Sequence, residues 1–322
     1  MDLATYKKQL LDYLADEIKV VEPLNLYEPI KYILEIGGKR LRPVLCLQSC
    51  DLFGSDYKKA LSASLAIEIF HNFTLLHDDI MDAADIRRGK KTVHKKWNEN
   101  TGILSGDAML ILAYKYLENY DSDIYKELML NFNKTALEVC EGQQYDIDFE
   151  TRTDVTLPEY FKMITFKTAV LLACSLKIGA IIAKASDMDK EAIYNFGLHL
   201  GIAFQLQDDF LDTFGNQKTF GKRIGGDIIE NKKTFLYLKL LEVISESDKK
   251  ILDKWFSTEQ DSESKIKEII ALYVKYDIPN VVKNEIQKYS DLAISDLHKT
   301  SLSNDAKMAF EQLGKSLNLR SV

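Results

Sequence analysis

An all-α fold is predicted by three features of the 322-residue sequence. The five prolines fall at positions 23, 29, 43, 158 and 279, which leaves two stretches of more than a hundred residues without a helix breaker. Glycine is scarce, at 15 residues. The long segments between are rich in Leu, Ile, Ala, Lys and Glu, the composition of mostly helical chains. Nothing resembles a linker, so one large domain over residues 1–322 is expected despite the length.

From the N-terminus, Leu3, Tyr6, Leu10, Tyr13, Leu14 and Ile18 repeat at helical spacing until Pro23 ends the pattern, which reads as a packing helix. A second helix over about Tyr27–Ile36 runs into Gly37-Gly38-Lys39-Arg40-Leu41-Arg42-Pro43. Two glycines there admit backbone amides close to an anion, and the cations offer phosphate contacts, Arg as a fork and Lys as a point charge. The P-loop spacing is missing and no strand precedes it, so alone the cluster reads equally as a basic helix end or a ligand site. Leu61–Leu76 predicts a strongly apolar helix containing a lone His71, ordinarily a satisfied core residue. It leads into Asp78-Asp79-Ile80-Met81-Asp82 and then Arg87-Arg88-Gly89-Lys90-Lys91, a run that by itself predicts a solvated loop.

Leu104–Leu117 and Ile124–Phe149 predict two more helices, the second ending in Glu141, Gln143, Gln144, Asp146 and Asp148, a polar end that lines a cavity or is simply wet. Leu157-Pro158-Glu159 opens another with proline in the first turn. Within it, Phe166-Lys167-Thr168-Ala169 sets a lysine among apolar residues, where an unpaired ammonium is costly. An anionic ligand relieves that cost, and so does snorkelling to solvent. Asp208-Asp209-Phe210-Leu211-Asp212 then repeats the DDxxD spacing after a second apolar segment. Gly215–Lys233, with Lys222, Gly225, Gly226, Asp227 and Lys232, predicts a mobile loop able to close over a site. From Phe235 onward the chain reads as amphipathic, charged helix with a polar connection near Ser257–Ser264 and no recognisable chemistry.

On a helix, positions i and i+4 share a face, so each DDxxD copy sets carboxylates one turn apart. Their repulsion is tolerable on a wet surface or where divalent cations neutralise it, and hard oxygen ligands at this spacing suit Mg²⁺ bridging to substrate phosphates. One copy alone is ordinarily an acidic helix end; two, each behind an apolar run, favour the metal. His71, Thr74, Leu75, Asp78 and Asp82 form one stripe, and Gly201, Phe204, Gln205, Asp208 and Asp212 form another. The pattern predicts two helices facing each other across a cavity.

Cys46, Cys50, Cys140 and Cys174 form no CxxC pair and no cluster with the five histidines, so neither zinc nor a disulfide framework is expected. Met1–Val20 is charged throughout and lacks a signal-peptide core, and the apolar stretch Ala169–Ala183, interrupted by Lys177, is too short to span a bilayer. A cytoplasmic protein without a transmembrane segment is expected. The net charge of −7 disfavours nucleic acid as a partner and leaves the capture of any anionic substrate to local basic clusters.

Taken together, GGKRLRP, LLHDDIMD followed by RRG, FKTA, FQLQDDFLD and GKRIGGDIIENK stand in the order and spacing of trans-isoprenyl diphosphate synthases, and the resemblance spans Gly37 to Lys232. It implies the all-α isoprenoid synthase fold, a helical bundle around a central cavity, assembled as a homodimer. It also implies head-to-tail prenyl transfer with Mg²⁺ as cofactor and Mn²⁺ as a substitute. Asp78, Asp79 and Asp82 resemble the first metal-binding motif of that family, and Asp208, Asp209 and Asp212 the second. Arg87, Lys167, Thr168, Gln205, Lys222 and Lys232 match positions that contact the allylic diphosphate, Lys167 and Lys222 being counted with the aspartates as catalytic. Lys39, Arg40, His71 and Arg88 match positions that bind isopentenyl diphosphate.

Chain length in that family is set by bulk one to two turns before the first aspartate, here Phe73 and Phe70, with a small Thr74 between Phe73 and the acids. The pattern resembles geranylgeranyl synthases more than the two-aromatic farnesyl type, so a C20 product is expected ahead of C15. A terpene cyclase of the same fold shares one DDxxD but typically has an Asn/Ser/Glu-type second metal motif, and a non-catalytic regulatory subunit commonly loses the acids. The second DDxxD and the GGKR cluster speak against both.

Overall fold

The computed structural model describes residues 2–215, 224–257 and 263–318. Within them the chain is helical apart from one two-stranded ribbon, the all-α architecture that composition predicts. Lys222 and the middle of the expected Gly215–Lys233 loop lie outside the described residues. Contacts divide the chain into two compact units, Met1–Asn133 with Cys174–Lys190, and Lys134–Ala173 with Glu191–Val322. Every boundary between them falls inside a helix rather than in a linker.

In the first unit, α1 (Leu3–Glu17) begins where the Asp2 carboxylate accepts the Thr5 amide at 2.8 Å, and it buries Tyr6, Leu10 and Leu14 along one face. Pro23 opens α2 (Leu24–Glu35), and α3 (Leu41–Leu52) follows the Gly-Gly turn. The central element is α4 (Leu61–Met81), in which every residue from Ala63 to Phe70 is buried. It continues past its predicted end at Leu76, so Asp78 and Asp79 lie in its last turn and Asp82 is its C-cap.

The expected loop at 87–91 is instead a hairpin pairing Arg87 with Lys90, and Arg88 and Gly89 take the positive φ angles, 52° and 75°, that a type I′ turn requires. A single turn, α5 (Val93–Lys96), leads to α6 (Glu99–Leu117), which lies along α4. Two glycines of α6 leave room for α4 side chains: a Cβ at Gly102 would stand 2.9 Å from Ile80 Cδ1, and one at Gly106 2.2 Å from His77 Nε2.

Further helices are α7 (Ser122–Thr151), α8 (Leu157–Ile164), α9 (Val170–Ile182) and α10 (Asp187–Phe214). In the second unit α8 opens on a capping box between Thr156 and Glu159, with Pro158 in its first turn. Between α8 and α9 the helix widens into a π turn over Thr165–Ala169. The unit's core joins Phe149, Tyr160, Leu206, Phe210, Phe235 and Ile269. Helices Phe235–Val243, Glu246–Phe256, Glu263–Lys275, Ile278–His298 and Asn304–Asn318 complete it. The continuous stretch Leu157–Ile182 is long and apolar enough to cross a membrane, yet 72% of its most apolar window is buried inside the protein, as in a core helix.

Within the first unit, Gly179 of α9 faces α3, where a Cβ would stand 2.3 Å from the Cys46 carbonyl oxygen and 2.8 Å from the Cys50 amide nitrogen. Both are backbone atoms that cannot step aside. Gly179→Ala should therefore lower stability by about 1–3 kcal/mol, read from the urea midpoint. An unchanged midpoint would show that α3 and α9 separate freely.

Candidate active site

The first acid cluster sits at the C-terminus of α4, where exposed carbonyls already concentrate negative charge. Arg87 answers it from the hairpin: Nε lies 2.8 Å from both carboxylate oxygens of Asp79, and Nη2 3.2 Å from Asp78 Oδ2. Asp79 is buried, and burial raises its pKa against the pull of Arg87. Asp82 is exposed. The hairpin is anchored where the Tyr32 hydroxyl donates to the Lys91 carbonyl at 2.8 Å and Thr92 Oγ1 to the Ala84 carbonyl at 2.7 Å.

A basic pocket forms beside it in the same unit. Arg40, expected on isopentenyl diphosphate, turns inward instead: it adopts a left-handed backbone (φ 57°) and donates to the Glu68 carboxylate and the Leu34 carbonyl, with 2% of its side chain exposed. A cation so buried is committed to its partner. Arg42, not Arg40, lies beside His71, with Nη1 3.3 Å from His71 Nε2. Arg88 donates to the Gly37 carbonyl and occupies the space a Cβ on Gly38 would need, 2.7 Å from Nη1; Gly38 also has a φ of +136°. Lys39 is exposed on the same turn. Burial, and then Arg42, Arg88, Arg87 and Arg40 around it, push the His71 pKa well down, so the ring is neutral and the pocket's positive charge rests on guanidinium groups.

Behind the acids on α4, Phe73 is buried with its ring 5.7 Å from Phe70 and 4.8 Å from the His77 ring, and Phe70 meets Phe132 edge-on at 5.1 Å. Thr74 Oγ1 donates to the His71 carbonyl at 2.8 Å. The two phenylalanines form one aromatic wall, which flanks the His71–Asp78 stripe.

The second acid cluster lies in the last two turns of α10, again at a helix C-terminus. Asp209 is buried and accepts the Tyr160 hydroxyl at 2.6 Å and Gln205 Nε2 at 2.9 Å; burial nevertheless raises its pKa to about 6, with Asp208 adding to the effect. Asp212 Oδ2 accepts the Asp227 amide at 2.9 Å at the start of the short helix Gly226–Ile229. Asp227 is raised further, to about 8, by burial and by Asp209 and Asp212. Burial alone would lower the Lys232 pKa, but Asp227, Glu230 and Asp146 hold it above the ordinary lysine range.

Lys167 and Thr168 project from the π turn, Lys167 Nζ 2.6 Å from Asp146 Oδ2 and Thr168 Oγ1 3.0 Å from Gln205 Oε1. Such a turn is a frequent device at functional sites. Here it is gripped from two sides: a Cβ at Gly142 would stand 2.2 Å from the Lys167 backbone nitrogen, and one at Gly201 2.6 Å from Ala169 Cα.

Among the described residues no three His, Cys, Asp or Glu side chains form a cage able to hold a metal by themselves. The donors are hard carboxylate oxygens, and burial together with neighbouring carboxylates raises the pKa of Asp209 and Asp227. That set fits Mg²⁺, which keeps waters and takes substrate phosphates as ligands rather than an all-protein cage.

Arg42, Asp146, Tyr160 and Asp227 join these constellations although none of them stands among the site residues named from the sequence. For Arg42 and Asp227 the signal was present in the motifs; for Asp146 it was the polar end of α7; for Tyr160 there was none.

A family model described as polyprenyl synthetase matches residues 23–273. A geranylgeranyl diphosphate synthase of Saccharolobus solfataricus is 38% identical over 310 residues, covering 94% of this chain and 93% of its own. A geranylfarnesyl diphosphate synthase of Natronomonas pharaonis is 37% identical over 73% of this chain and 74% of its own. The crystal structure of a geranylgeranyl pyrophosphate synthase superposes with a TM-score of 0.96 at 46% identity over 100% of both chains.

Two measurements test this geometry. Arg40→Ala leaves Glu68 buried without its cation and should cost about 3–5 kcal/mol of stability, whereas Arg42→Ala should leave the denaturation midpoint nearly unchanged; equal effects would refute the division between them. Asp209 and Asp227 have folded pKa values above the unfolded 3.8. The stability they contribute is therefore fully present below about pH 4 and is lost as pH rises through about 6 and about 8. In chelator the urea midpoint should fall across that window, and Asp227→Asn should flatten its upper half.

Proposed function

The chain belongs to the polyprenyl synthetase family, and from that premise we propose that it is a prenyltransferase joining isopentenyl diphosphate head to tail to an allylic diphosphate, with a C20 product favoured over C15. The observation that carries this reading is the pairing, on one helix, of a guanidinium-lined pocket around His71 with the acids Asp78 and Asp79. A cyclase acting on one diphosphate needs the acids but not a second anion pocket. The name of the relative from Saccharolobus supports a C20 product, and that of the relative from Natronomonas, a geranylfarnesyl synthase, names a chain one isoprene unit longer.

In the proposed reaction the allylic C–O bond breaks, its electron pair leaves with the diphosphate, the isopentenyl double bond attacks the allylic carbon, and loss of a proton restores an alkene. Negative charge develops on the leaving group, so stabilisation must be placed there. Lys167, Lys232 and Arg87 would supply cationic donors to the allylic diphosphate, Thr168 and Gln205 neutral contacts to it, and Lys222 is assigned a cationic role by its motif. Asp78, Asp79, Asp82, Asp208, Asp209 and Asp212 would hold Mg²⁺, or Mn²⁺ in its place. When bound, the metal would neutralise diphosphate oxygens and ease departure of the leaving group. Lys39, Arg42, His71 and Arg88 hold isopentenyl diphosphate, Arg42 replacing Arg40. Phe70 and Phe73 keep water from the allylic cation.

The chain acts as one domain and as a homodimer in this proposal, the latter supported by the exposed Ile103, Leu104, Ile111 and Leu130 of the first unit. Cytoplasmic localisation and the lack of a nucleic-acid partner are supported by four free cysteines and a net charge of −7.

Incubation with Mg²⁺, isopentenyl diphosphate and geranyl or farnesyl diphosphate should consume both substrates, and no consumption would refute prenyl transfer. Asp78→Ala or Asp208→Ala should reduce turnover by about a hundredfold or more while shifting the urea midpoint little, since each removes charge from a crowded cluster. Each isoprene unit buried adds about 3–4 kcal/mol of favourable transfer energy, so a wall rather than weak affinity must end elongation. Phe73→Ala should accordingly lengthen the product beyond C20 by chromatography of the dephosphorylated chains; an unchanged spectrum would move the floor to Phe70.

A further inference from the structure

Helix Glu263–Lys275 lies in the part of the chain whose sequence carries no recognisable chemistry, yet it holds a lysine with no solvent exposure. Lys265 Nζ donates to Asn231 Oδ1 at 2.6 Å and to the Ile229 carbonyl at 3.2 Å. Burying an ammonium is unfavourable, so an apolar side chain would fill the same place at less cost unless the donors are needed. Both acceptors lie at the far end of the short helix Gly226–Ile229, Asn231 being left-handed at φ 57°. The next residue, Ile266, packs against the near end, where a Cβ on Gly225 (φ +80°) would meet its side chain at 2.9 Å. At that near end Asp212 accepts the Gly225 amide on its carbonyl at 2.6 Å and the Asp227 amide on its carboxylate at 2.9 Å.

The turn is therefore clamped at entry by Asp212 and at exit by Lys265. Between the clamps lies Asp227, whose carbonyl accepts the Lys232 amide at 2.9 Å, and just past the exit clamp stands Lys232, with Nζ 2.9 Å from Glu230 and 3.8 Å from Asp227. Asn231, the residue Lys265 grips, is the immediate neighbour of Lys232.

We propose that Lys265 is a positioning residue for prenyl transfer, fixing from the C-terminal helices the place at which Lys232 presents its ammonium to the allylic diphosphate. The inference rests on the reading of Lys232 as a diphosphate ligand given above. Lys265 itself touches no reacting atom.

The test compares wild type, Lys265→Met, which keeps the length and removes the donors, and Lys265→Arg, which restores a cationic donor. With Mg²⁺, isopentenyl diphosphate and geranyl diphosphate, Lys265→Met should lower kcat by about tenfold or more, the scale on which misplacing a group acts, with KM for isopentenyl diphosphate unchanged. Lys265→Arg should recover most of the loss. Amide exchange should accelerate in Lys265→Met over 229–233 and not in α4. A wild type without turnover overturns the prenyl-transfer reading and this inference with it. An active wild type beside a Lys265→Met variant of unchanged kcat overturns the inference alone, as does a variant whose exchange accelerates throughout the chain. Should Lys265→Met fail to fold, Asn231→Ala, which removes the acceptor, is measured in its place, and an unchanged kcat there is equally decisive against it.

Discussion

Carboxylates gathered at the negative ends of two helices are the constraint to which the rest of the molecule responds. Both α4 and α10 terminate in DDxxD, so repulsion among the side chains adds to the field of the backbone. In the first unit the answer is a hairpin whose I′ turn brings Arg87 onto Asp78 and Asp79. In the second, the Tyr160 hydroxyl and the Gln205 amide donate to Asp209 and the Asp227 backbone donates to Asp212. Burial raises the pKa of an acid in each cluster, Asp79 in the first and Asp209 with its neighbour Asp227 in the second, and the adjoining carboxylates add to the effect.

Cations near these acids divide by depth. Arg40 is sealed against Glu68 and holds α3 to α4, while Arg42 and Arg88 stay at the rim around His71. Two arginines two positions apart take different partners, Arg40 the buried Glu68 and the Leu34 carbonyl, Arg42 the His71 ring, and Arg40 has the left-handed backbone of the pair. Gly38 serves the arrangement by leaving room for Arg88.

Much of this was legible in the sequence, and the limits follow from the physics of each signal. Proline spacing and helical periodicity identify the fold class because they are local, and the acid motifs stand out because charge grouped at i and i+4 is unfavourable without a purpose. Arg40 was misplaced because a single left-handed residue is invisible to a helical count. The hairpin at 87–90 was read as a loop, although Arg-Gly at the turn carried a weak I′ signal. Tyr160 and Lys265 escaped notice because their partners lie 49 and 34 residues away, and nothing in the local sequence announces a contact made across the core.

The π turn at Thr165–Ala169 also changes how the stretch Leu157–Ile182 must be counted. An extra residue in one turn rotates everything after it by about 100° relative to an uninterrupted α-helix. Residues of α8 and α9 that share a face by arithmetic therefore point in different directions, and residues that are out of step by arithmetic align. Any alignment of this segment with a helix lacking the insertion slips by one position at Ala169, and a substitution chosen by heptad phase from α8 lands on the wrong side of α9. The insertion behaves as a frameshift in space.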